Sequence, residues 1–385
     1  MSDSNRVQLA YIEESTFGEV ESGSNLQILR FTSESLHQET TTQPSNEIRD
    51  DRQIADVKRT KIGASGAVNL ELSYGSYDDL LQAALMSGAW SSIVTETEIT
   101  FSMAASDNSV NDSANGFVTA GYAANQWVKI SGFTTSANNG YFKIVSVAVG
   151  KMVLSGGTVS DEDAGDSVTI KMGAQVVNGT TCPSYNFEKK FADLSNKFAI
   201  LTGMCVDQMS LNVAADAIIT GAFNLLGKDE ASAASSSGTG YDSVNSNETL
   251  SAIDDVTSIL ENQASYDTTQ FSLQLQNNLR DRIKVGSLGT ISIGKGALGL
   301  TGTLQAYFED STVMDKYLNF TSSSLAIVIE DGSGNAYIID LPQIKYTSGQ
   351  RVAGGQNQDI IADMAFNAYR DSSEDVTIRI ARFAA

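Results

Sequence analysis

The chain has 385 residues, with 46 acidic against 25 basic side chains, a formal net charge of −21 and 41% hydrophobic residues. That length allows two or three domains that each bury a core, and the charge argues against tight generic binding to nucleic acid, which needs clustered Lys and Arg. No apolar run approaches the roughly 20 residues that cross a bilayer, the polar start MSDSNRVQ predicts neither signal peptide nor anchor, and two cysteines, Cys182 and Cys205, exclude a disulfide framework and a cysteine-built metal site.

In chain order, Val7 to Ile12 and Leu26 to Phe31 read as strands. From Thr32 to Lys61 there is little apolar periodicity, and charges of both signs alternate through Glu47, Arg49, Asp50, Asp51 and Arg52. So long a stretch without core residues predicts a functional loop, or an arm that orders on a neighbouring subunit. A Gly-spaced strand follows, with Ile62, Ala64, Val68, Leu70, Leu72 and Tyr74 on one face. Tyr77, Leu80, Leu81, Ala84 and Leu85 then fall at helical spacing, behind Asp78 and Asp79 in the first turn, where the helix dipole favours anions.

Residues 97–172 read as short strands punctuated by Asn138-Asn139-Gly140 and Gly156-Gly157. A strand set that begins and ends with a strand can be inserted into a host domain at little cost, so this unit is expected to face outward and to be dispensable for assembly. The host resumes with one or two strands over Leu211 to Leu226. The Ser-rich residues 231–247 read as a linker or mobile loop, and strands continue from 248 to the C-terminus, with Asp331-Gly332-Ser333-Gly334-Asn335 as a hairpin turn. The expected organisation is a discontinuous first domain, 1–96 with 173–230, an inserted β domain, 97–172, the linker, 231–247, and a second domain, 248–385. The predicted fold class is mainly β, with two short helices.

The second half repeats landmarks of the first. Leu279-Arg280-Asp281-Arg282 precedes a Gly-rich strand with Leu298, Leu300, Leu304, Ala306 and Phe308 on one face, then a helix carrying Val313, Met314, Tyr317 and Leu318. Arg49 and Arg280 lie 231 residues apart, Tyr74 and Phe308 234, and Ala222-Phe223-Asn224 returns as Ala365-Phe366-Asn367. An internal duplication accounts for this order. Gly289 to Gly296 resembles a phosphate loop and Gly294 to Gly299 a dinucleotide fingerprint, but both motifs must open onto a helix, and Leu300 to Phe308 alternates as a strand. The shift of apolar parity from Ile291 and Ile293 to Leu298 onward predicts a Gly-marked bulge. His37, the single histidine, lies in the polar stretch, away from any triad pattern, and the pairs Asp78-Asp79 and Asp254-Asp255 read as helix-start or surface acids. No catalytic, cofactor or metal site is predicted.

Several phrases together resemble the major tail tube proteins of long, non-contractile tailed phages. They are Arg30 to Leu36, Ser45 to Gln53, Leu72 to Leu81, Thr301 to Asp310 and the Gly354 to Asp359 phrase, while 97–172 resembles a β module inserted in assorted phage virion proteins. The resemblance implies tandem sandwich or barrel domains that self-assemble into stacked rings, made in the host cytoplasm and resident in the virion tail. DNA would pass without specific binding, and the tape measure, tail tip and terminator would be partners, with no membrane in the main shaft. Single-domain members make six-membered rings, so a two-domain chain implies trimeric pseudo-hexameric rings, with hexamers as the alternative. Glu47, Arg49, Asp50, Asp51, Arg52, Arg280, Asp281 and Arg282 become the candidate subunit or ring contacts. A different β-rich virion surface or capsid-decorating protein is the competing reading, and an acidic secreted carbohydrate-binding or glycoside-cleaving protein a third.

Overall fold

Leu9 and Tyr11 on β1 (Val7–Glu13) and Leu26 and Leu29 on β2 (Asn25–Leu29) turn inward as these two strands pair antiparallel. The computed structural model describes residues 3–352 and 355–385, so Gly354 of the phrase above lies outside the described residues. β3 (Ser33–Glu34) and β4 (His37–Pro44) run beside β5 (Val57–Glu71). Gly66 is obligatory where β3 passes into β4: its φ is +143°, and a Cβ there would stand 2.4 Å from the Ser35 carbonyl oxygen. Ala64, Val68, Leu70 and Leu72 are buried, and α1 (Asp78–Ala84) follows with Leu80, Leu81, Ala83 and Ala84 against the core. The stretch 32–61 is thus largely a β-hairpin rather than a loop. Side chains along most of β4 and the outer part of β5 are exposed on both faces, which removes the period-2 signal, while the ladder bonds and β-branched Thr40, Thr41 and Thr42 still favour the strand.

The next seven strands form a sheet of their own: β6 (Val94–Glu98), β7 (Phe101–Ala104), β8 (Ser109–Asp112), β9 (Trp127–Ser131), β10 (Gly140–Ala148), β11 (Lys151–Ser155) and β12 (Val168–Met172). A one-turn helix, α2 (Phe117–Ala120), makes the third helix where two were expected. Phe101, Phe117, Val128, Ile130, Phe142, Ile144 and Ile170 fill a separate core. This unit does not stand free. Trp127 and Tyr141 are buried against Val328, Ile338 and Phe383 of the second half, and Tyr141 meets the Phe383 ring edge-on at 5.2 Å between centroids. Each such buried side chain contributes roughly 1.5–3 kcal/mol. Beside them Lys143 lies 2.9 Å from Asp340 and 2.7 Å from Glu374, and Arg379 completes the ring at 2.7 Å from Asp340 and 2.9 Å from Glu374.

β13 (Ala174–Val177), β14 (Tyr185–Phe191), β15 (Phe198–Ala214), β16 (Thr220–Gly227), β17 (Asp229–Ala233) and β18 (Gly240–Tyr241) return the chain to the first half. Residues 231–247 are no free linker. The buried Glu188 carboxylate accepts from the Ser236 hydroxyl, the Ser237 N–H at 2.8 Å and the Tyr241 hydroxyl at 2.6 Å, and Asn245 and Asn247 donate to the Tyr74 carbonyl. A buried carboxylate needs donors, and the Ser-rich stretch supplies them.

The second half comprises β19 (Val256–Glu261), β20 (Ala264–Ser265), β21 (Thr268–Gln276), β22 (Arg280–Arg282), β23 (Ser292–Gly294), β24 (Gly299–Tyr307), α3 (Thr312–Leu318), β25 (Ser322–Glu330), β26 (Ala336–Val352), β27 (Ile361–Ala368) and β28 (Arg379–Phe383). Its wiring repeats that of the first half. β1 pairs β14, β14 pairs β15, β16 and β17 share the far edge of β15, and β5 lies beyond β16. Likewise β19 pairs β25, β25 pairs β26, β27 and β28 share the far edge of β26, and β24 lies beyond β27. Phe223 faces Val68 where Phe366 faces Gly302.

One expectation for this half fails. The parity shift before Leu298 is not a bulge: β23 belongs to a separate ribbon with β22, and β24 starts afresh in the main sheet, with Gly296 pressed against Asn278 between them. Of the apolar residues that α3 carries, Val313 and Met314 are buried but Leu318 is exposed.

The halves share one core in which Leu72, Tyr77 and Leu81 pack with Ile339 and Ile380. Asp78 is more than a helix-start acid. It accepts from the Tyr337 hydroxyl and pairs with Arg382, both in the second half; burial pushes its carboxyl above the usual range, and these two partners pull the other way.

Candidate assembly surfaces

Residues 45–56 project from the end of the β4–β5 hairpin, with Ser45 N–H bonded to the Asp56 carbonyl at the base. Glu47, Arg49, Asp50, Asp51 and Arg52 all lie there, all exposed. Arg49 forks onto Asp51 at 2.7 and 3.0 Å, holding that carboxyl below its usual range, while the Asp51 carboxylate also accepts from Gln53 N–H. Arg52 turns the chain at φ +56°. Arg280, Asp281 and Arg282 form β22, in the matching connection of the second half.

The second group meets the base of the arm, not the first group at its tip. Lys61 of β5 pairs with Asp281, and Ile62 N–H donates to the Leu288 carbonyl at 3.1 Å. Arg49 therefore finds its acid within its own turn, and Asp281 takes a lysine that sequence reasoning passed over. Arg52, Arg59, Arg280, Arg282 and Lys284 have no ion-pair partner among the described residues. The exposed aliphatic residues Ile48, Ile54, Val57, Ile283 and Val285 accompany them.

A second surface is made by strand edges. Residues Gln208 to Ala214 of β15 pair with β21, which joins the two halves edge to edge. The corresponding part of β26, from Tyr346, has no strand on that edge among the described residues, and neither does the outer side of β3 and the start of β4. These are equivalent positions: Ser210 and Ser348 face Ala222 and Ala365, while β3 lies on β5 as β21 lies on β24. Glu34 fixes the kink after β3 by accepting from Leu36 N–H at 2.8 Å and pairing with Lys189 at 2.7 Å. Nothing in the local sequence of either edge marks it, because edge exposure depends on which strands arrive from elsewhere.

A duplicated sheet with open strand edges and a projecting charged arm has the layout of a structural β protein. The chain belongs to the phage tail tube protein family, whose family model, described as phage tail tube protein, matches residues 4–368. It is accordingly a structural component of the virion tail. No match was found among curated proteins.

Proposed function

We propose that three copies of this chain close into a ring, that rings stack into the tube, and that the tube conducts the genome during ejection. One observation carries the ring: the β15–β21 junction inside the chain leaves its two equivalents open, one on β26 and one on β3–β4. Joining them between neighbours repeats a contact the fold already makes, so a ring closes with two pseudo-equivalent halves per chain. Three chains supply six such halves, and the net charge of −21 fits a conduit to which DNA does not adhere. The division into 1–96 with 173–230, 97–172, 231–247 and 248–385 belongs to this proposal, supported by the repeated wiring and by the separate sheet of the inserted unit. The Arg- and Asp-rich arm residues, Glu47 to Arg52 with Arg280 to Arg282, serve as contacts between rings.

The junction gives a register to test. Ser210 faces Gln274, so Ser348 of one copy should face Ser35 of the next, since Ser35 sits on Ala67 as Gln274 sits on Thr301. Cross-strand Cβ atoms are about 4.5–5.5 Å apart, close enough for a disulfide after slight adjustment. A chain carrying Ser35→Cys and Ser348→Cys, oxidised after assembly, should run as a covalent trimer on denaturing gels, and either single variant as a monomer. A covalent hexamer, or no cross-link in assembled tubes, contradicts the ring.

A further inference from the structure

Cys182 lies in the connection from β13 to β14, and Cys205 lies in β15. Tyr185 faces Met204, and continuing that antiparallel register back through Ser184 and Pro183 sets Cys182 opposite Asp207 and diagonal to Cys205. Diagonal neighbours share one face of a sheet, within reach of each other's side chains, and the two cysteine side chains hydrogen-bond to one another. The connection is held on both sides of Cys182. Gly179 N–H donates to the Leu85 carbonyl and Thr181 N–H to the Met86 carbonyl, each at 2.9 Å, while the Ser184 carbonyl accepts from Glu14 N–H at 2.7 Å. Pro183 disfavours a helical backbone at Cys182. A fixed frame therefore presents one thiol to the other.

The two thiols differ in their surroundings. Cys205 is 2% exposed, whereas Cys182 keeps part of its surface in solvent. Lys295, from the Gly-rich phrase that resembles a phosphate loop, donates to the Thr180 carbonyl and sets its ammonium near Cys182. The contact with Cys205 lowers the Cys182 thiol below its ordinary range and Lys295 adds to this, while burial and the Asp207 carboxylate oppose it. The same contact, burial and Glu14 push Cys205 up. A partly exposed thiol beside a cation, with a second thiol against it, is the arrangement in which one sulfur attacks an oxidant and the other resolves the product.

We propose that Cys182 and Cys205 form an oxidisable pair, closed to a disulfide by a low-molecular-weight disulfide such as oxidised glutathione. The Cys182 thiolate attacks one sulfur of the oxidant, whose S–S bond breaks and whose other half leaves as a thiol. Cys205 then gives up its proton and attacks the Cys182 sulfur, expelling the second half as a thiol. Two protein thiols are oxidised, one small disulfide is reduced to two thiols, and the protons of the two cysteines end on those thiols. The new bond ties residues 178–184 to β15, the strand that joins the two halves by pairing with β21. A reducing cytoplasm keeps such a pair open, and the oxidising medium around a released virion closes it.

The experiment incubates the full chain, freed of reductant, with oxidised glutathione at neutral pH and reads intact mass, titratable thiols and unreduced tryptic maps. Wild type should lose two hydrogens and both titratable thiols, and should yield two peptides joined through Cys182 and Cys205. Cys205→Ser should stop at a glutathione adduct on Cys182, and Cys182→Ser should form an adduct more slowly by about tenfold or more, since its remaining thiol is buried. Overturning results are two free thiols in oxidised wild type, a lasting glutathione adduct on it, a disulfide between two chains, or adduct formation on Cys182→Ser as fast as on Cys205→Ser. The wild-type map decides the bond by itself should either variant misfold.

Discussion

The ammonium of Lys143 lies 2.9 Å from the carboxylate of Asp340, with both side chains sealed from solvent. The two residues belong to different sheets, so the pair fastens the inserted unit onto the second half. Replacing Lys143 by Ala strands part of a buried negative charge and should lower unfolding free energy by about 3 kcal/mol, read by urea titration. A loss below about 1 kcal/mol, as for a surface pair, would show that the contact does not fasten the sheets. Replacing 97–172 with a flexible linker should expose Val328, Ile338 and Phe383 and give an aggregating chain, the reverse of a dispensable appendage.

Asp371 caps the turn that presents Glu374 to Lys143. The Ser373 hydroxyl, with the N–H groups of Ser373 and Glu374, stabilises the carboxylate and lowers its pKa from 3.8 to about 2. A depressed folded-state value means that the stabilisation is fully present above pH 3.8 and is lost as pH falls towards about 2. Asp371→Asn should therefore lower stability at neutral pH and flatten its decline across that acidic window. An unchanged acid slope in urea midpoints would remove Asp371 from this role.

Val68 and Gly302 hold equivalent places opposite Phe223 and Phe366, yet only one tolerates a side chain. A Cβ on Gly302 would stand 2.2 Å from the Ser272 carbonyl oxygen and 2.4 Å from the Phe366 ring. Gly302→Ala should destabilise by about 1–3 kcal/mol through overpacking, whereas Val68→Ala should destabilise by a comparable amount for the opposite reason, the cavity left by two buried methyl groups. A neutral Gly302→Ala in thermal melts would contradict the packing described.

Excising residues 45–56 and joining Pro44 to Val57 through Asn-Gly keeps the hairpin register, in which those two residues face one another. The melting temperature should hold and rings should still form, but they should not stack. Tubes of wild-type length from this variant would refute a role for the arm between rings.

What the sequence made legible follows from how locally each feature is determined. Ala64, Val68, Leu70 and Leu72 declare their strand because one face is buried, and α1 declares itself through Tyr77, Leu80, Leu81 and Ala84. The duplication was readable because Phe223 and Phe366 occupy the same ladder position in each half. β4 was hidden because exposure on both faces erases alternation. Residues 231–247 were misread because their partner, Glu188, lies more than 40 residues upstream and its burial has no local signature. Among the candidate contacts, the repeated Arg-Asp-Arg phrase led from the arm to Arg280, Asp281 and Arg282, but could not show that Asp281 is taken by Lys61. The open edges of β3 and β26 were likewise invisible, since an edge is defined by strands that do not arrive.

In the proposed ring one chain supplies two of the six walls. Cryo-electron microscopy of tubes assembled from the purified chain, averaged without imposed symmetry, measures this directly. Three chains of 41.0 kDa per ring are predicted, with β26 of each paired to β3 of the next and the inserted units projecting as three knobs. Six chains per ring, or rings whose neighbours meet through any surface other than those two edges, would contradict it.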